Sequence, residues 1–371
     1  MLKKLRGLAV LSVLTMTLTA CQQFEDIANQ GDSQNNENQN EATQQLSEDY
    51  YQAVIEDNTY DVNNTRGLQA GPSSDANMKN MEKGLYELAQ GVFPTDEFLF
   101  REGKVISEDQ ANAWLGAQSD DNPEGLNPSG YNSQKRDNFE PRYLNSILEY
   151  NLMQENDDGN LTLQGISIAL AMNESDTFTN DDNEEKVEID RETQIAKGKE
   201  MAQTIVSKIR ENEDYQSIPI QVAIFTNAAV DDIGGGSFAT EAMVSEGSEL
   251  NDWVDYNVDY VVYGVDSAPN EEDGEAVSQF QSEVEGLFPQ LSGISGVGRY
   301  VDGNLDSLHI TINSQFDGYT ETLALTQKAI DAASNLFNKN LGIEIEIHSP
   351  SGTRAVLSRP SGSDTFNYTI L

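Results

Sequence analysis

The hydrophobic positions of this chain fall into three regimes. Residues 7–20 form an uncharged, mainly aliphatic run behind Lys3, Lys4 and Arg6. At ~1.5 Å rise per residue that run is too short for a ~30 Å hydrocarbon core, so it reads as a signal segment and not a stable span. Residues 22–47 carry five acids, no base and hardly any apolar side chain. Such a composition does not offset its ordering entropy, which predicts a flexible tether. From Tyr50 onward the apolar residues become periodic.

Met78, Met81, Leu85 and Leu88 recur at helical spacing and predict a helix over 78–88. Ser107, with Gln110 three residues later, starts a second helix over 107–115. Residues 143–152 read as a third. The stretch 118–138, rich in Asp, Asn, Pro, Gly and Ser, predicts an irregular loop. Residues 161–172 alternate as a strand. Ile166, Ile168, Leu170 and Met172 lie on one face, and small Ser167, Ala169 and Ala171 lie on the other, where a helix is expected to pack closely.

Residues 174–192 hold nine acids against two bases without EF-hand spacing, and are expected as an exposed loop. An amphipathic helix follows over 191–210. Pro219 opens a strand over 220–226 that is apolar on both faces, hence central. A further strand covers 258–263.

Toward the C-terminus the pattern predicts helices over 275–288 and 319–338. A hairpin turns about Asp302, Gly303 and Asn304. Ile343, Ile345 and Ile347 alternate with Glu344, Glu346 and His348 in a strand with one wet face, and 353–357 is expected beside it.

The strand-helix-strand-strand-helix-strand order over 161–301 fits a ferredoxin-like unit, and the C-terminal part repeats a similar grammar. The expected fold class is therefore α+β: mixed sheets covered by helices, in ferredoxin-like units, after a disordered N-terminal tether. The expected divisions are a signal peptide (1–20), a modified cysteine with a disordered acidic linker (21–47), a mainly helical part (48–160), an α/β part (161–265) and a C-terminal α+β part (266–371).

The aliphatic run ends in Leu18, Thr19, Ala20 and Cys21, which resembles the lipobox of bacterial lipoproteins. There the cysteine thiol is diacylglycerated by a transferase, and signal peptidase II cuts just before it, here between Ala20 and Cys21. Cys21 is the one cysteine of the chain. With it lipidated, no thiol remains for a disulfide, a CxxC metal site or a cysteine nucleophile. The expected location is the extracellular face of the cell membrane, held to the bilayer by the N-terminal lipid.

Charge narrows the partners. The formal net charge is −41, and loss of residues 1–20 removes three bases and no acid, so the mature chain is near −44. Such a surface repels nucleic acid and anionic headgroups. It suits concentrated salt, where screening relieves self-repulsion.

Candidate chemistry is sparse. His309 and His348 are the two histidines, and both read as surface residues. That excludes common zinc sites and Cys-His catalysis, and no cofactor or metal is expected. GxSxG, Walker A and GxGxxG motifs are absent from the sequence. The run Gly234, Gly235, Gly236 and Ser237 offers backbone N–H groups for an anion, but Asp231 and Asp232 oppose one, so a mobile loop is the stronger reading. Together with Trp253 and Tyr256, Gly235, Gly236 and Ser237 mark a possible ligand cleft. Trp253 and Tyr256 equally suit core packing.

Several scattered residues carry a family resemblance. They are Arg66-Gly67-Leu68, Phe93-Pro94, Gly125-Leu126-Asn127-Pro128, the strand 165–173, Pro219-Ile220, Gly236-Ser237-Phe238, Trp253, Phe288-Pro289 and Tyr300 with Asp302-Gly303. On these the chain resembles the CamS family of sex-pheromone lipoproteins of low-GC Gram-positive bacteria. The resemblance implies that the C-terminal end of the signal peptide is released as a short hydrophobic pheromone that induces conjugative plasmid transfer. By position that segment is Leu14, Thr15, Met16, Thr17, Leu18, Thr19 and Ala20. Its three threonines depart from the aliphatic and aromatic family peptide. For the mature domain two functions are expected: a non-catalytic binding module for an envelope or protein ligand, or a cell-envelope hydrolase using carboxylates alone.

Overall fold

The computed structural model describes residues 40–180, 183–287 and 293–371. The signal segment, the lipobox with Cys21, most of the tether and the Phe288-Pro289 pair lie outside the described residues. Among the described residues no helix is long and apolar enough to cross a membrane.

The first part of the chain runs β1 (Asn40–Ala42), β2 (Gln52–Glu56), α1 (Asp75–Val92), β3 (Leu99–Glu102), α2 (Glu108–Leu115), β4 (Leu144–Glu155) and β5 (Leu161–Met172). It continues through β6 (Ser175–Thr179), β7 (Glu184–Glu188), α3 (Arg191–Ile209), β8 (Ile220–Thr226), β9 (Ser237–Val244) and β10 (Val254–Asp255). Eight of these strands form one mixed sheet in the order β1-β2-β3-β4-β5-β8-β9-β10.

Each face of that sheet carries helices. Ile166, Ile168, Leu170 and Met172 of β5 join Met201, Ala202, Ile205 and Val206 of α3 in one core. Ala169 and Ala171 on the opposite face join Met81 and Leu85 of α1, as the small residues there lead one to expect. All seven residues of β8 are buried, as a central strand requires. Gly198 lets α3 sit down on β8, since a Cβ there would come 2.6 Å from Ile224 Cγ2.

Two local expectations fail here. Residues 143–152 are not helical; they belong to β4, which pairs with β3 and β5 near the middle of the sheet. Leu144, Ile147, Leu148 and Leu152 do recur at helical spacing, but every residue from Leu144 to Met153 is buried. A strand covered on both faces loses the alternation that would reveal it. The part 48–160 is therefore not mainly helical. Residues 174–192 are likewise no plain exposed loop: β6 and β7 form a hairpin. Asp176 is buried in it and accepts bonds from Arg142 N (2.8 Å) and Nε (3.0 Å).

The second part runs β11 (Val258–Val262), α4 (Glu271–Leu287), β12 (Gly293–Val301), β13 (Asn304–Asn313), α5 (Tyr319–Leu336), β14 (Gly342–Ser349), β15 (Gly352–Arg359) and β16 (Asn367–Ile370). These strands form a six-stranded sheet in chain order. The β12–β13 hairpin turns on Asp302 and Gly303, at φ 50° and 76°, the left-handed pair of a tight two-residue loop. Val277, Phe280 and Val284 of α4 and Leu325, Ala329 and Ala333 of α5 cover Leu308, Ile310, Ile343 and Ile345 on one face. The alternating positions, His309, Glu344 and their neighbours, point to the other.

The α+β class with mixed sheets therefore stands, but the ferredoxin-like reading of 161–301 does not. Its first half builds the eight-stranded sheet and its second half the six-stranded one. In the latter the parallel neighbours β13 and β14 are directly paired, with no strand between them, unlike a split βαβ unit. The sheets part at Tyr256 and Asn257, not near residue 265.

Candidate functional site

The two sheets meet across helix α1. Ser74 caps it by accepting from Asn77 N at 3.1 Å. One stripe of α1, comprising Asn77, Met81, Leu85 and Ala89, is buried against the first sheet. The next stripe, with Ala76, Lys79, Asn80, Lys83 and Glu87, faces the open side of the second sheet. One amphipathic helix thus serves two partners.

The glycine loop is what fixes α1 in this position. Asn77 Oδ1 accepts from Gly236 N (2.7 Å) and Ala228 N (3.0 Å), while its Nδ2 donates to Ala228 O (3.0 Å). Asn80 Nδ2 donates to Gly234 O (2.8 Å) and Gly236 O (3.1 Å). Gly234 N is taken by Asp232 Oδ1 at 2.7 Å. Gly235 sits at φ +72°, and a Cβ there would lie 2.7 Å from the Ala76 carbonyl carbon. Residues 234–236 are buried. The mobile-loop reading is corrected, and the N–H groups of Gly234 and Gly236 are already engaged, so they are no anion cradle. Ser237 Oγ donates to Val258 O at 2.6 Å and ties the first sheet to the second.

Between α1 and the second sheet lies a groove of about 470 Å³, lined by Lys79, Asn80 and Lys83 on one side and Tyr260, Val297, Arg299, Ser307, His309 and Glu344 on the other. It continues past Lys83 into a space of about 450 Å³ that adds Glu87, Gly236, Ser237, Phe238, Tyr256 and Asp306. Strand register places the sheet side chains in rows. Tyr260 pairs with Arg299 and Arg299 with Ser307; Val297 pairs with His309 and His309 with Glu344.

Charge in the groove is mixed, in contrast to the acidic chain as a whole. Arg299 Nη1 pairs with Asp306 Oδ2 at 2.5 Å, and Lys83 Nζ lies 3.7 Å from Glu87 Oε1. His309 Nδ1 is 3.7 Å from Glu344 Oε2. The His309 contact, supported by Lys83 and Lys79, holds the Glu344 carboxyl below the usual carboxylate range despite its partial burial. Lys79 forms no ion pair or hydrogen bond with the described residues. His309 is thus a groove residue, whereas His348 pairs outside it with Glu346 at 2.8 Å.

The cleft residues read from sequence are only partly brought together. Gly236 and Ser237 line the groove and Gly235 is packed behind it. Trp253 lies elsewhere: it rests on the first core, donates from Nε1 to Leu250 O at 3.3 Å, and carries Lys199 Nζ 4.8 Å from its ring centre. Among the described residues, no group of three or more His, Cys, Asp or Glu side chains is placed to hold a metal ion.

Besides Asp176, two buried carboxylates escaped the sequence reading, since nothing separates them from the other acids of the chain. Glu149 is fully buried and accepts from Val105 N (2.9 Å), Ile106 N (2.8 Å) and Asn151 Nδ2 (2.5 Å). Burial pushes its carboxyl pKa up against those bonds. Glu102 accepts from Tyr60 Oη (2.7 Å) and Asn63 Nδ2 (3.0 Å) and pairs with Arg66 Nη2 (3.1 Å). Both cinch neighbouring segments onto β3 and β4, and neither lines the groove.

The residues that carry the resemblance are of the same structural kind. Asn127 Oδ1 accepts from Tyr143 N and Leu144 N, and its Nδ2 donates to Leu115 O and Leu144 O, all at 2.9 Å. Arg66 holds Glu102, and Phe93 packs over Gly165.

Comparison with known proteins agrees with this architecture. A crystal structure of a sex pheromone precursor from Lactobacillus salivarius subsp. salivarius UCC118 is similar at 30% identity and a TM-score of 0.84, over 90% of this chain and 99% of that one. The C-terminal domain of the sex pheromone staph-cAM373 precursor from Staphylococcus aureus is similar at 26% identity and a TM-score of 0.68, over 80% of this chain and 96% of that one. No match was found among curated proteins. A family model described as CamS sex pheromone cAM373 precursor matches residues 60–365, and the chain belongs to that family.

Proposed function

We propose that this chain is the precursor of a lipoprotein anchored through Cys21 to the extracellular face of the cell membrane, with a folded domain that is a non-catalytic binding module. Signal peptidase II releases residues 1–20, and Leu14 to Ala20 is the segment from which a pheromone peptide would be trimmed. The observation that carries the binding role is the groove between α1 and the open face of the second sheet, built jointly by both parts of the fold. The carboxylate-hydrolase alternative is disfavoured because the groove carboxylates Glu87, Asp306 and Glu344 lie against Lys83, Arg299 and His309, and the buried Glu102 and Glu149 are committed to internal hydrogen bonds away from it. Three threonines in the peptide segment would each cost ~1–3 kcal/mol in an apolar receptor pocket that left their hydroxyls unpaired. Release of the peptide and its activity are therefore separate questions.

Two measurements test this. Membrane fractionation with mass spectrometry of culture medium compares the natural chain with Cys21→Ala. Membrane retention and a peptide from 14–20 are expected only when Cys21 is present; a natural chain that is not retained overturns the anchor. Separately, envelope fractions are screened for a rise in melting temperature of the folded domain. The stabilising compound should be recovered unaltered, and Ser307→Trp, which fills the groove, should abolish the shift. Turnover of the compound would instead establish an enzyme.

A further inference from the structure

We propose that the groove binds a multiply charged oxyanion, a phosphate or carboxylate compound, at the end lined by Lys79, Lys83 and His309. The inference rests on the reading of the groove as a binding cleft and names the chemistry that it recognises. The chain has 63 acidic residues against 22 Lys and Arg, so cations facing one another across a cleft are the exception in it. Lys79 and Lys83 come from one helical stripe of α1, His309 and Arg299 from adjacent strands opposite. Asp306 occupies Arg299, but Lys79 forms no ion pair or hydrogen bond with the described residues, and the side chain of Lys83 is 72% exposed with only a 3.7 Å contact to Glu87.

Glu344 is the carboxylate at this end of the groove, and it feels His309, Lys83 and Lys79 together. A free oxyanion here would compete with Glu344 for Lys79 and Lys83, neither of which makes a direct ion pair with that carboxylate. The remainder of the acidic surface opposes approach at long range. Screening over ~8 Å at physiological ionic strength removes most of that opposition and leaves the contact charges in control.

Isothermal titration of the folded domain with pyrophosphate and, separately, citrate at about 150 mM salt tests the proposal. At least one ion should bind, about tenfold more weakly to Lys79→Ala/Lys83→Ala. Tighter pyrophosphate assigns a phosphate ligand; tighter citrate assigns a carboxylate. The control Lys135→Ala/Lys186→Ala removes the same charge from exposed positions outside the groove and should bind as the natural chain does. His309→Gln, a single change on the facing strand, should also weaken binding and guards against a misfolded lysine variant. No heat with either ion, or equal weakening in both lysine pairs, overturns the proposal. If neither ion binds while an uncharged envelope compound still shifts the melting temperature, the ligand class is wrong and the cleft is not.

Discussion

Gly165 lies directly beneath the ring of Phe93: a Cβ at position 165 would come within 2.4 Å of Phe93 Cε1. Phe93 is the residue at which α1 ends, and Gly165 opens the fully buried part of β5. The pair therefore sets how closely the helix that lines the groove approaches the first sheet.

Gly165→Ala should destabilise the domain by about 1–3 kcal/mol, the usual cost of overpacking a filled core. Phe93→Leu in the same chain should recover part of that loss, because the smaller side chain vacates the contested space. Urea unfolding of the two single variants and the double variant checks this. Strictly additive losses would mean that the two residues do not compete for the same volume.

Asn77 is the second support of α1. Asn77→Ala leaves the buried Gly236 N and the half-buried Ala228 N without their acceptor and should cost about 2 kcal/mol, since a stranded buried group costs ~1–3 kcal/mol. Hydrogen exchange at Gly236 should accelerate in step. A change in the urea midpoint with unaltered protection of Gly236 would place the lost energy elsewhere.

Asp176 supplies a pH dependence. Burial pushes its carboxyl up, but the bonds from Arg142 and from the backbone of Arg142 and Thr177 outweigh burial and hold it below its usual 3.8. A depressed folded-state pKa stabilises the protein above the unfolded value, and that contribution is lost as pH falls through the folded value. Asp176→Asn should therefore cost about 2 kcal/mol near neutral pH, the scale of a lost charge-assisted hydrogen bond. The gap to the natural chain should hold down to about pH 5 and close below pH 3.8. Chemical denaturation at several pH values measures it, and a gap independent of pH would assign the cost to packing alone.

Much of the secondary structure was legible because its signals are local. Ser107 caps α2, accepting from Gln110 N at 3.2 Å. Asp302 and Gly303 turn the hairpin, and the alternation at 343–348 marks a strand with one wet face. Where the pattern misled, burial on both sides was the reason: β4 lost its polar face to the middle of a sheet and was left with Leu and Ile spacings that also suit a helix.

The groove was hardly legible at all. Its walls come from positions 76–87, 234–238, 256–260 and 297–309, with Glu344, and no local pattern links them. Lys79 and Lys83 read only as the solvent side of a helix, and Gly234 to Gly236 as a free loop, because Asn77 and Asn80 are more than 150 residues away from their partners.

By itself the sequence determined the lone cysteine, the acidic character of the chain, the α+β class and most element positions. These follow from composition and from periodicities of 2 and 3.6 residues, which act over a few turns or strands. Only the tertiary structure decided which sheet each strand joins, which acids are buried, and that one helix presents a cationic stripe to a second sheet. Those outcomes depend on contacts between distant segments, where packing and the pairing of buried polar groups outweigh local preference.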